Sequence, residues 1–148
     1  MPATLKKWGG VAKLDLKGPG LRELPALPGG ARTWTLGPAH LLLTCAADAR
    51  ESAIARMEEM AGVWVTDVTE VYAHFLLSGE HGRDLLRKVT SLNVLDSSLP
   101  TLACAQTRLA HVHAILMRQD DAFHILVGRE YGESVWAALR HAAVEFAL

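Results

Sequence analysis

Cysteine is nearly missing from this chain: its 148 residues hold only Cys45 and Cys104, far apart and each in apolar sequence. That usage excludes a disulfide framework and suits reduced, buried thiols, so a cytoplasmic protein is expected. An excess of charge of either sign is missing too. Fifteen Lys and Arg stand against sixteen Asp and Glu, for a net charge of −1 and a pI near 6.6. The basic residues are scattered, with Lys6-Lys7 and Arg87-Lys88 as the only adjacent pairs. This excludes the electrostatic footprint of a nucleic-acid binder and a polybasic membrane patch. No apolar run approaches the roughly 18 residues of a membrane helix. No apolar stretch follows Lys6-Lys7, so no secretory leader is expected. A Gly-x-Ser-x-Gly elbow and a Walker-type loop are also absent, which removes the two commonest motif-borne chemistries.

What is present is core. Half of the residues are hydrophobic, enough for one domain built from one or two closely packed halves. Residues 1–30 hold half of the twelve glycines and four of the six prolines. Gly9-Gly10, Gly18-Pro19-Gly20, Pro25, Pro28 and Gly29-Gly30 break any period, so the segment reads as an extended, irregular arm. It is either a poorly ordered terminus or an arm that lies on a partner or on this chain's own surface, as Trp8, Leu14, Leu16, Leu21, Leu24 and Leu27 suggest.

From residue 31 the pattern becomes regular. Strands are expected at Arg32–Leu36 and His40–Cys45 around a Gly37-Pro38 turn. A helix follows, with Asp48 and Glu51 as a capping box, Ala53 and Met57 inward and Gly62 as its stop. Strands at Val63–Thr66 and Tyr72–Leu77 come next, the latter apolar on both faces and so internal to its sheet. Ser78 reads as the cap of a helix reaching about Thr90. Residues 91–101 form a loop, and strands follow at Cys104–Leu109, Val112–Arg118 and Phe123–Gly128, with Asp120-Asp121 turning between the last two. A helix from Tyr131 to Phe146 closes the chain with an apolar stripe. The order implies an α+β fold of antiparallel sheets with helices packed on one face, its first half at about 31–67 and its second at about 68–148.

Candidate chemistry is thin. His111 and His113, two apart on a strand, would share a face, a spacing that suits a metal or merely half-exposed histidines. Both thiols lack a flanking base and read as core. Asp120-Asp121 and Glu58-Glu59 are adjacent pairs that point apart and read as solvated charge. Gly128 to Gly132 has the wrong spacing for a dinucleotide loop and reads as a helix entry. Gln106 and Arg108 form the polar part of an otherwise apolar strand and share a face with Cys104. Arg108 can clamp a carboxylate, bridge a subunit interface or snorkel from a sheet edge.

Asp67-Val68-Thr69, Phe75 to Gly79 and Arg83 to Leu86 together resemble the opening of the folate-binding aminomethyltransferases, the family of the glycine cleavage T-protein. Cys104-Ala105-Gln106-Thr107-Arg108-Leu109, Phe123 to Val127, Tyr131 to Trp136 and Leu36-Gly37-Pro38 are similar to the gamma subunits of heterotetrameric sarcosine oxidases. The resemblance spans about residues 31–140. It implies the folate-domain fold in an accessory subunit, held with larger alpha and beta subunits that carry FAD, FMN and NAD, and with tetrahydrofolate as methylene acceptor. The aminomethyltransferases carry an acid after a glycine pair where this chain reads Leu109-Ala110-His111-Val112-His113. The cysteine motif of the iron–sulfur-related folate proteins is also missing. The resemblance therefore carries over no catalytic, cofactor or metal residue. It leaves Gln106 and Arg108 as contacts to a partner or ligand, with a stand-alone folate-binding or aminomethyltransferase-related protein, a homo-oligomer, as the alternative.

Overall fold

The computed structural model describes residues 4–25, 27, 30–95 and 98–146, so Pro28 and Gly29 of the expected arm and two residues of the 91–101 loop lie outside the described residues. The chain divides into two compact units. Residues 9–70 form one unit. Residues 71–148 form the other, joined by residues 1–8.

The smaller unit is a four-stranded antiparallel sheet in the order β3-β4-β2-β5, made of β2 (Val11–Lys17), β3 (Arg32–Gly37), β4 (His40–Ala46) and β5 (Trp64–Asp67). β2 contradicts the reading of residues 1–30 as an irregular arm. Its sequence Val-Ala-Lys-Leu-Asp-Leu-Lys alternates, which sends Ala12, Leu14 and Leu16 to one face, each without exposed surface. Register places them opposite Cys45, Leu43 and Leu41 of β4. Helix α1 (Arg50–Glu58) covers that face with Ala53 and Met57.

The glycines that hid this strand flank it instead of interrupting it. Gly20 N–H donates to the Gly62 carbonyl at 3.0 Å. A Cβ on Gly18 or Gly20 would fall 2.0 or 2.1 Å from the carbonyl oxygens of Gly62 and Ala61. Glycine is required there because two backbone turns touch. The expected capping box does not form. A 3-10 turn over Ala47–Ala49 absorbs Asp48, and α1 starts one residue later with no side-chain cap. Gly62 does adopt a left-handed φ of 73°, but within the turn into β5 and after α1 has ended.

The larger unit is a five-stranded antiparallel sheet in the order β1-β6-β9-β8-β7. Its strands are β1 (Thr4–Lys7), β6 (Tyr72–Ser78), β7 (Cys104–Leu109), β8 (Val112–Gln119) and β9 (Ala122–Gly128). β6 is internal, as its two apolar faces require, because β1 pairs with its outer edge from Thr4 opposite Ser78 to Lys7 opposite Phe75. Ser78 is consequently not a helix cap. It ends β6, its hydroxyl bonds Thr4 at 2.7 Å, and α2 (Gly82–Val89) begins four residues later. α2 contributes Leu85 and Leu86, and α3 (Gly132–Ala143) contributes Val135, Leu139 and Ala143, to a core shared with Phe75, Leu77, Leu116, Phe123, Ile125 and Val127. In each unit one sheet face carries the helices, as the alternation predicts.

Candidate functional site

The site candidates gather at the outer edge of the larger sheet. β7 is an edge strand, and its hairpin with β8 sets Arg108 opposite His113 and Leu109 opposite Val112. The two turn residues, Ala110 and His111, both lie in the left-handed region, with φ of 48° and 71°. A two-residue hairpin needs such a turn to match strand twist, and Asn or Gly normally supplies it. Here the turn is made by an alanine and a histidine, which costs on the order of 1–2 kcal/mol per residue.

Several bonds hold the strained turn against the end of α2. The Arg108 guanidinium donates to the His111 carbonyl at 2.6 Å, and the Ala110 N–H donates to the Val89 carbonyl at 2.9 Å. The buried Thr90 hydroxyl donates to the Arg108 carbonyl at 2.8 Å. Arg108 thus lies exposed beside the C-terminal turn of α2, where Arg87 and Lys88 oppose the negative end of the helix dipole.

Between this corner and α3 runs an open groove of about 890 Å³. Ala110, Ala138 and Ala142 contribute small apolar surface to it; Arg87, Lys88 and Arg108 give it positive character, with His111 and His141 beside them. Lys88 forms an ion pair with Glu145 and sits 5.5 Å from the centre of the Phe146 ring. Among the described residues no carboxylate lines the groove.

The structure keeps Gln106 and Arg108 exposed on the same face as the half-buried Cys104, but only Arg108 borders the groove. It does not keep His111 and His113 as a pair on one strand, because His111 belongs to the turn and only His113 to β8. The histidines that do meet are His74 and His124, diagonal neighbours on β6 and β9 with Nε2 and Nδ1 2.8 Å apart. Trp8 packs edge-on against His124 with ring centres 6.3 Å apart. A histidine in each of two apolar strands was the only signal of that pair, and pairing partners are not written in a strand's own sequence. Among the described residues no three His, Cys, Asp or Glu converge as a metal site. Burial raises both thiols above the ordinary cysteine range, with Asp48 and Asp67 adding to the effect at Cys45. Asp120-Asp121 forms the β8–β9 turn as expected, Asp120 at a φ of 56°.

Comparison with known proteins places this geometry in a family. The model for the GCVT N-terminal domain matches residues 31–148. A chain of the heterotetrameric sarcosine oxidase from Corynebacterium sp. U-96 superposes with a TM-score of 0.78 at 19% identity, covering 99% of this chain and 86% of that one. Aminomethyltransferase T of the glycine cleavage system from Bartonella henselae superposes with a TM-score of 0.72 at 15% identity, covering 93% of this chain but 45% of that one. No curated protein matches the chain by sequence. The chain belongs to the GCVT N-terminal domain family.

Proposed function

We propose that this GCVT-family chain is a non-catalytic, gamma-type subunit of a sarcosine oxidase-like, amine-oxidising complex, and that it assembles or stabilises larger subunits. The observation that carries the reading is the reciprocal coverage. The sarcosine oxidase chain is matched over 86% of its own length, whereas the aminomethyltransferase is matched over less than half. The match thus extends over most of the sarcosine oxidase chain and over only one part of the transferase. In this reading the alpha and beta chains hold FAD, FMN and NAD, sarcosine is oxidised there, and tetrahydrofolate receives the methylene group. The complex would work in the cytoplasm.

The turn supports the same reading. At the place of the family's glycine pair and acid stand Ala110 and His111, followed by His113 opposite Arg108. Neither side chain is the acid that the family carries there, so the reading assigns this chain no catalytic carboxylate.

Co-expression with candidate alpha- and beta-type flavoprotein chains tests the proposal. A flavin-coloured complex containing this chain is the expected result. A stable isolated monomer with no flavin-containing partner would overturn it. Calorimetric titration of the isolated chain with tetrahydrofolate should give no binding heat; clear binding would favour the stand-alone folate-binding alternative.

A further inference from the structure

The groove beside Arg108 has features that the accessory-subunit reading does not itself explain. We infer that it is a docking site for a short acidic segment of a partner chain. The inference rests on that reading for the existence of a partner but not for the chemistry of the site.

Its charge is the first argument. Glu145 neutralises Lys88, but among the described residues neither Arg87 nor Arg108 forms an ion pair with a carboxylate. The chain as a whole is slightly acidic, so two uncompensated guanidiniums facing one groove are a local departure from its surface. Guanidinium forks recognise carboxylates with two parallel hydrogen bonds.

Shape is the second. The α3 wall is built from Ser134, Ala138, His141 and Ala142, which rise about 12 Å at 1.5 Å per residue. That length accommodates about four residues of extended chain at 3.3 Å each. Alanines at 138 and 142 let a backbone approach closely, and the open form suits a chain laid along the surface better than an enclosed small molecule.

The third is the turn. Ala110 and His111 keep an unfavourable backbone because Arg108, Val89 and Thr90 hold it. Strain maintained in this way sets one wall of the groove in a single conformation, which lowers the ordering cost of a partner.

The test uses the full chain and acetylated hexaglutamate as probe, followed by amide chemical shifts at low ionic strength, with inorganic phosphate as the comparison. Hexaglutamate should shift residues 87–91, 108–111 and 134–142, and R87E/R108E should weaken it about tenfold or more, in line with like-charge juxtaposition at an interface. R87K/R108K, which retains charge, should keep part of the affinity; both variants lose the Arg108 guanidinium bond to the His111 carbonyl, so equal melting temperatures for the two show that the loss in the reversal is not misfolding. Failure of hexaglutamate to bind, equal binding to R87E/R108E, or phosphate binding as tightly as the peptide would each overturn the inference. So would self-association that R87E/R108E abolishes, which would put a second copy of this chain in the groove.

In the co-expressed complex, R87E/R108E should make co-elution fail at a lower salt concentration. A complex indifferent to R87E/R108E overturns the groove and leaves the subunit reading standing. Hexaglutamate binding by a chain that forms no complex with the flavoproteins overturns the subunit reading and leaves the groove's chemistry supported.

Discussion

In the four-stranded unit, Leu14, Leu16 and Leu43 are covered by one helix, whereas in the five-stranded unit Phe75, Leu116, Phe123 and Ile125 lie beneath two. Their hairpins differ as well. β3 and β4 are joined around Pro38, whose fixed φ suits the start of an ordinary turn. β7 and β8 are joined by Ala110 and His111, both left-handed. The comparison separates two uses of one plan. The smaller unit closes its hairpin with relaxed backbone. The larger unit keeps a costly turn at the corner where its basic side chains gather, and its thicker core can sustain that cost.

Removing core from the smaller unit should have the largest effect. Leu14→Ala deletes a fully buried side chain and should destabilise by about 3 kcal/mol. The loss should be local: hydrogen exchange should accelerate through β2–β5 while β6, β8 and β9 remain protected. Equal acceleration in both units would break the comparison by showing one cooperative fold.

A smaller effect is expected at the end of that unit's last strand. The Thr69 hydroxyl donates to the Asp67 carboxylate at 2.6 Å, and the Lys13 N–H donates to the Thr69 oxygen at 3.0 Å. The Thr69 hydroxyl holds the Asp67 carboxyl below the usual range, aided by the Thr69 backbone N–H and Arg50 against a smaller opposing effect of burial. An acid with a lowered folded-state pKa contributes stability that is full above its unfolded value and disappears as pH falls through the folded one. Thr69→Val should therefore cost about 1–2 kcal/mol near pH 7, and the gap to the parent should narrow as pH drops below about 4. Urea titrations at a series of pH values would measure it; a gap independent of pH would remove Asp67 from the account.

The smallest effect should have the opposite sign. Ala110→Gly relieves a left-handed alanine at the cost of unfolded-state entropy, for a net gain of up to about 1 kcal/mol. Ala39→Gly in the β3–β4 turn relieves nothing and should be neutral to destabilising. Chemical denaturation of the two variants checks the contrast, and loss of stability in Ala110→Gly would mean that the turn stores no strain.

Much of the fold follows from local pattern. Alternation marks the faces of Arg32–Gly37, short apolar runs mark His40–Ala46, Val112–Gln119 and Ala122–Gly128 as strands, and the stripe Val135, Leu139, Ala142 marks the buried side of α3. These signals survive in sequence because period 2 and period 3.6 are properties of a single chain segment. The neighbourhood of Arg108 was legible as a polar interruption of an apolar strand.

What tertiary structure decided concerns partners. β2 is obscured by the glycines around it until Leu14 is set opposite Leu43, and β1 acquires its meaning only as the cover for β6. The His74–His124 pair depends on β6 lying beside β9. Above all, the groove joins residues 87–91, 108–111 and 134–142, which no local period links. The sequence by itself determined which residues prefer to be inside and in what local form. Which surfaces meet, and where positive charge converges, was decided by long-range packing, because strand order and helix docking are settled by complementary faces that no single segment contains.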